Sequence, residues 1–153
     1  MEGVPTELEL VGDSHHIETS YVLGFFLGKT ADEAYDMYRS DDFVPGGLEA
    51  FSYLSVRGLE YYLPPAIRYI ESIDSSGNNE FVSGLLSALS DQMFHEPIRK
   101  CWSPRIPPNP LPPHIVDSIR RLAEYVRLNL KKFEMKESEI ATSLLEINAA
   151  PPQ

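Results

Sequence analysis

Hydrophobic residues recur every three or four positions along most of this chain, which is the spacing of one face of an α-helix. The pattern is clearest over residues 114–135, and over residues 80–94, whose wide apolar stripe lies opposite a series of serines. No stretch alternates hydrophobic and polar residues in the way that predicts a β-strand. We therefore predict an all-α fold, a compact bundle of about six or seven helices around one core.

Capping signals divide this pattern into separate helices. Thr30 and Glu33 have the spacing of a capping box, which predicts that Thr30 caps a helix. Ser55 is placed to cap another helix, and Asn78 or Asn79 to cap the one that follows.

Two adjacent prolines lie in the segment "EYYLPPAIRYI" at residues 60–70. Pro64 and Pro65 lack the amide hydrogen that an α-helix needs, and Leu63 before them is biased away from helical angles. Proline suits the first turn of a helix, so we predict a helix, a sharp corner and a second helix. Six more prolines at residues 104–113 predict an extended strap before the long C-terminal helix.

Length and composition predict one soluble domain. The chain has 153 residues, of which 42% are hydrophobic and 24% charged, as in ordinary globular proteins. We predict a flexible acidic arm at residues 1–14, a single helical domain at 15–147 and a disordered tail at 148–153. The N-terminus does not resemble a secretory signal, and no apolar run approaches the roughly 18–20 residues of a membrane span. These features predict a cytoplasmic protein with no membrane partner.

Acidic residues dominate the N-terminal third of this chain, whose formal net charge is −10. Residues 1–49 hold eleven Asp or Glu against two basic residues, whereas residues 97–153 hold nine Lys or Arg against six acidic residues. An acidic protein repels phosphate backbones, so we predict no nucleic-acid partner. The asymmetry would steer a basic protein toward the N-terminal third. The candidate docking residues are Asp32, Glu33, Asp36, Asp41 and Asp42.

Patterns that would carry catalysis or bind a metal are weak. Asp91 and His95 lie four residues apart, beside Glu96, and such a set can hold a metal or orient a general base. It lacks the second histidine of an HExxH motif, and the preferred interpretation is a surface pair near a helix C-terminus. We predict no catalytic residue, no cofactor and no metal. A metal-dependent enzyme or regulator using these three residues is the alternative.

Tyrosine and arginine side chains surround the double proline. Tyr61, Tyr62 and Arg68 belong to residue types that protein interfaces favour. The phenols would equally serve to bind backbone carbonyls that the prolines leave without donors. Packing is the preferred interpretation, and the three residues are kept as candidate binding residues. A homo-oligomer formed through this surface is a further hypothesis.

Three segments carry a resemblance to a known family. "FLGKTADEAYDMYR", "LEAFSYLSVRGLEYYLPPAIRYI" and "FVSGLLSAL", within residues 20–135, resemble the DUF6714-like group of small bacterial proteins of unknown function. The Tyr-Leu-Pro element is the most specific part of the resemblance. It implies a compact, cytoplasmic helical protein in which that element is a shared structural feature, and it implies no established activity.

These observations predict a non-enzymatic helical protein-interaction module with an acidic docking face. A concrete version is a cytoplasmic immunity-type protein that neutralises a toxin. That version is an analogy with other small acidic bacterial proteins that show no evident chemistry.

Overall fold

The computed structural model describes residues 3–11, 17–44, 46–94 and 111–149. Within these ranges the chain forms eight α-helices, two short 3-10 helices and no β-strand, so the predicted all-α fold is confirmed. The α-helices are α1 (Glu7–Val11), α2 (Ile17–Phe26), α3 (Ala31–Arg39), α4 (Gly46–Phe51), α5 (Val56–Glu71), α6 (Asn79–Phe94), α7 (Pro113–Leu128) and α8 (Ala141–Ala149). The 3-10 helices are Ile73–Ser75 and Glu137–Glu139.

The helices pack in two connected groups. Helix α5 contacts α1, α3 and α7, while α4 packs against α2 and α6, and α6 packs against α7 and α8. Between the groups lies a cluster of buried aromatic rings whose centroids are 5.0 to 6.3 Å apart. The ring of Phe43 contacts all four other members of this cluster, which are Phe26, Tyr38, Phe51 and Phe81.

The predicted helix caps are confirmed. The hydroxyl of Thr30 accepts a hydrogen bond from the backbone N–H of Glu33 (3.2 Å), and the Glu33 carboxylate accepts one from the N–H of Thr30 (2.9 Å). Ser55 caps α5. The side-chain oxygen of Asn78 accepts a hydrogen bond from the N–H of Phe81 (3.3 Å) at the start of α6. Each cap satisfies a backbone donor that the first turn of a helix leaves without a partner.

The predicted corner at the double proline is wrong. Helix α5 continues through Pro64 and Pro65, although the carbonyls of Glu60 and Tyr61 thereby lose their helical donors. The helix persists because its apolar side is buried on both sides of the prolines. The buried residues are Gly58, Leu59, Tyr62, Leu63, Pro65, Ala66, Tyr69 and Ile70. Burying a single large apolar side chain contributes about 1.5–3 kcal/mol, so this stripe outweighs the roughly 3 kcal/mol or more that an internal proline costs.

The N-terminal segment contains a helix that sequence analysis did not predict. The composition of residues 1–14 predicts a flexible arm, whereas in the structure residues 7–11 form α1, and Leu10 is fully buried. Thr6 and Glu9 cap this helix by exchanging hydrogen bonds between side chain and backbone (2.9 and 3.2 Å). The carbonyl of Glu9 then accepts a hydrogen bond from the hydroxyl of Ser55 (2.6 Å), which joins α1 to the start of α5.

The long helix predicted over residues 114–135 ends earlier than expected. Helix α7 stops at Leu128, and a series of turns follows in which Glu134 has a φ of 53°. These turns bring Phe133 into the core, where it is fully buried. The ammonium of Lys132 donates a hydrogen bond to the carbonyl of Ile70 in α5 (2.7 Å). The hydrophobic spacing thus identified which residues are buried but not the path of the backbone.

Two predicted segments fall largely outside the described residues. Residues 104–110 of the proline strap and residues 150–153 of the predicted tail lie there. Helix α8 includes residues 148 and 149, which belong to the predicted tail.

Buried tyrosine hydroxyls join neighbouring helices to α5. Tyr38 donates a hydrogen bond to the carbonyl of Tyr62 (2.8 Å), and the Tyr62 hydroxyl lies 2.7 Å from the carbonyls of both Phe26 and Lys29. The hydroxyl of Tyr69 accepts a hydrogen bond from the side-chain amide of Asn78, at the start of α6 (2.7 Å). Burial raises the pKa of all three phenols because it disfavours the charged phenolate.

We expect the free energy of unfolding to fall above about pH 10. An unfolded tyrosine ionises near pH 10, whereas these three stay protonated to higher pH in the folded protein. The unfolded state therefore binds fewer protons, and stability decreases by up to about 1.4 kcal/mol per pH unit for each tyrosine. Urea titrations across this pH range measure the slope. Tyr62→Phe should reduce it, while Tyr21→Phe, at an exposed position, should not. An unchanged slope in Tyr62→Phe contradicts the prediction.

We expect Gly47→Ala to destabilise the protein. A Cβ at Gly47 would overlap the ring of Phe43, so the substitution forces the central ring of the aromatic cluster to move. Such overpacking typically lowers the free energy of unfolding by about 1–3 kcal/mol. The matched control is Gly24→Ala, at an exposed position in α2 with open space around it, which should raise that free energy by about 0.5–1 kcal/mol. Urea unfolding compares the two, and effects of the same sign would contradict this account.

Candidate functional site

The five candidate acidic residues lie on α3 and on the turn that follows it. Asp32, Glu33, Asp36, Asp41 and Asp42 are all exposed. Three of them line one shallow groove, which we call the acidic groove, between α2, α3 and the turn. Its lining residues are Gly24, Phe25, Lys29, Glu33, Asp36, Met37, Ser40, Asp42 and Phe43.

The floor of the acidic groove is apolar. The rings of Phe25 and Phe43 meet edge to face with their centroids 5.5 Å apart, and Met37 lies half-buried on the same groove. Phe43 is fully buried and supports the floor from beneath, so the accessible apolar surface belongs to Phe25 and Met37. Lys29 is the single basic residue among those that line the groove. A long basic side chain can pack its aliphatic stem on such a floor and keep its charged head at the carboxylates.

Two of the acidic residues have basic neighbours. The Asp32 carboxylate lies 3.4 Å from the Arg68 guanidinium, and the Asp36 carboxylate lies 3.6 Å from that of Arg39. All four side chains are largely exposed to water, so each pair is worth at most about 1 kcal/mol and a partner can displace it at little cost.

The other three carboxylates differ in their surroundings. Hydrogen bonds from Thr30, first from its backbone N–H and then from its side chain, hold the pKa of Glu33 below its ordinary value. Glu33 is therefore negatively charged throughout the neutral pH range, but it is also part of a helix cap. Asp41 and Asp42 form no ion pair within the described part of the chain. They are the carboxylates most available to an incoming cation.

The three candidate residues around the double proline have different roles. Tyr62 is fully buried and its hydroxyl binds carbonyls at the end of α2 and beyond it, so its side chain is not accessible to a partner. Tyr61 is half-buried and accepts a hydrogen bond from the N–H of Ala31 at the start of α3 (3.2 Å). Arg68 is exposed, and its guanidinium lies 4.8 Å from the ring centroid of Tyr35 and close to the carboxylate of Asp32. Arg68 thus remains accessible to a partner.

The alternative metal site is only partly within the described residues. Asp91 lies on α6, where its carboxylate accepts a hydrogen bond from the hydroxyl of Ser52 (3.3 Å). His95 and Glu96 lie outside the described residues. Across the described residues, no group of three or more His, Cys, Asp or Glu side chains is arranged to hold a metal ion.

Sequence reasoning missed a second groove, between α5 and α7, which we call the α5–α7 groove. At its rim, Nε2 of His114 lies 3.1 Å from Oε2 of Glu60. These residues are 54 positions apart, so no local pattern could reveal their contact. The groove is lined by Arg57, Leu59, Glu60, Tyr61, Leu63, Pro64, Ile67, His114, Ile115 and Ser118.

None of the helices in the described ranges is both long enough and apolar enough to cross a membrane. No family model, curated protein or solved structure matches this chain. The resemblance to the DUF6714-like proteins therefore stays a prediction.

Proposed function

We propose that this protein is a non-enzymatic interaction module that binds a basic partner protein through the acidic groove and the carboxylates beside it. The observation that carries the proposal is an acidic rim above an aromatic floor. Glu33, Asp36 and Asp42 line the groove together with Phe25 and Phe43. The rim attracts lysine and arginine, and the floor accommodates their aliphatic stems.

The overall charge supports the same assignment. A net charge of −10 attracts basic proteins over distances of about the Debye length, roughly 8–10 Å at physiological salt. The concentration of acidic residues in the N-terminal third directs this attraction toward the acidic groove. Electrostatic complementarity of this kind mainly raises the association rate and selects the correct partner.

The charge also argues for a different protein as the partner rather than a second copy. Two acidic grooves facing each other would bring like charges together, which costs free energy. A homo-oligomer would have to use another surface.

The narrower hypothesis is an immunity-type protein that binds a toxin in the cytoplasm. Its support is the small size, the acidic surface and the absence of a recognised catalytic motif in the sequence. Affinity capture of the tagged protein from cytosol, at low and moderate salt, would identify the partner. A basic toxin among the captured proteins supports this hypothesis, and a basic partner of another kind restricts the proposal to the general interaction module.

We expect the triple variant Asp36→Asn, Asp41→Asn, Asp42→Asn to associate with the captured partner about tenfold more slowly at low salt. These substitutions remove three exposed charges and leave the capping residue Glu33 in place. The difference from the wild type should shrink as salt is raised, because salt screens exposed charges. Stopped-flow mixing or surface plasmon resonance measures the association rate.

A matched control removes the same number of charges elsewhere. Asp117→Asn, Glu124→Gln and Glu137→Gln lie on α7 and the 3-10 helix that follows it, and all three positions are exposed. This control should associate at nearly the wild-type rate. If both triple variants slow association equally, net charge rather than the acidic groove is responsible, and the assignment of the groove fails.

A further inference from the structure

Two residues that line the α5–α7 groove have backbone carbonyls without the amide donor that an ordinary helix supplies. Pro64 and Pro65 lie inside α5, so the carbonyls of Glu60 and Tyr61 lack the amide donors that an ordinary helix supplies. Three of these four residues, Glu60, Tyr61 and Pro64, line the groove. Glu60 and Pro64 are both exposed.

The carboxylate of Glu60 adds a charged acceptor at the same place. Its Oε2 lies 3.1 Å from Nε2 of His114, and Oε1 makes no hydrogen bond to any described residue. The guanidinium of Arg57 is directed toward the N-terminal segment, where it donates to the carbonyl of Gly3 (2.6 Å) and lies 3.8 Å from the Glu9 carboxylate. The free Oε1 of Glu60 therefore favours a hydrogen-bond donor that carries positive charge.

The rest of the groove is apolar. Leu63 and Ile115 are buried beneath it, and Ile67 and Pro64 extend the apolar surface outward. An apolar cleft with a few convergent polar groups is typical of a small-molecule site.

We propose that the α5–α7 groove is a second binding site, distinct from the acidic groove, that takes a small primary amine carried on an apolar body. The ammonium, which has three hydrogens to donate, binds the Oε1 and the carbonyl of Glu60. The apolar body packs on Leu63, Ile67 and Ile115. The double proline thus has a functional consequence, because it frees a backbone acceptor at a charged position of the groove.

The test uses hexylamine as the probe and two-dimensional ¹⁵N NMR of the full chain as the measurement. Hexanol and hexanoate have the same apolar chain but a neutral or an anionic head, and they serve as matched ligands. Hexylamine should cause saturable shifts at backbone amides that line the α5–α7 groove. It should also bind at least about tenfold more tightly than either matched ligand, because hydrogen bonds to charged groups contribute about 1.5–3 kcal/mol.

Two variants separate the two acceptors. Glu60→Gln removes the charge, and Pro64→Ala returns an amide donor to the carbonyl of Glu60 while replacing a helix breaker with the best helix former. Each should weaken hexylamine binding several-fold to tenfold. The Asp36, Asp41 and Asp42 triple variant changes net charge by more than either substitution but leaves this groove intact, so it should bind hexylamine like the wild type.

Three results would overturn the proposal. They are equal binding of hexanol or hexanoate, unchanged hexylamine affinity in both Glu60→Gln and Pro64→Ala, and hexylamine shifts confined to the acidic groove. The first two results leave open whether a basic protein binds the acidic groove, and the third would favour that groove while overturning this one, so the two proposals can fail separately.

Discussion

The architecture depends on α5 remaining one helix through two prolines. Helices α1, α3 and α7 all pack against it, and the buried hydroxyls of Tyr38 and Tyr62 connect it to α3 and to the end of α2. A corner at Pro64 would turn one half of the apolar stripe away from the core and separate these contacts. Burial of the stripe therefore sets the conformation and outweighs the cost of the missing backbone hydrogen bonds.

Phe43 links the core to the acidic surface. Its ring contacts four other rings of the aromatic cluster and also supports Phe25, whose ring lies on the floor of the acidic groove. Gly47 leaves the space that this ring occupies. A partner that docks in the groove would thus contact a floor held by the core, under carboxylates that are exposed on its rim. A rigid floor reduces the entropy that binding must overcome, since little has to be ordered.

The sequence predicted the features whose interactions join nearby residues. The caps at Thr30, Ser55 and Asn78 each involve hydrogen bonds across three positions, so their spacing is visible in the sequence. The pair Thr6 and Glu9 carried the same signal, but the glycine, proline and acidic residues around it obscured the short helix α1. The all-α class followed from hydrophobic spacing alone, because a helix must bury one face wherever it packs.

Tertiary structure decided the features that depend on distant residues. The sequence determined that the acidic residues of α3 would be exposed, because the apolar positions of that helix lie on the opposite face. It could not determine that Phe25 and Phe43 would form a floor beside them, or that Glu60 would meet His114 across a groove. The same dependence on distant residues explains why the sequence alone predicts a corner at the double proline. A local rule gives the cost of breaking a hydrogen-bond ladder, whereas the burial that outweighs this cost comes from three other helices.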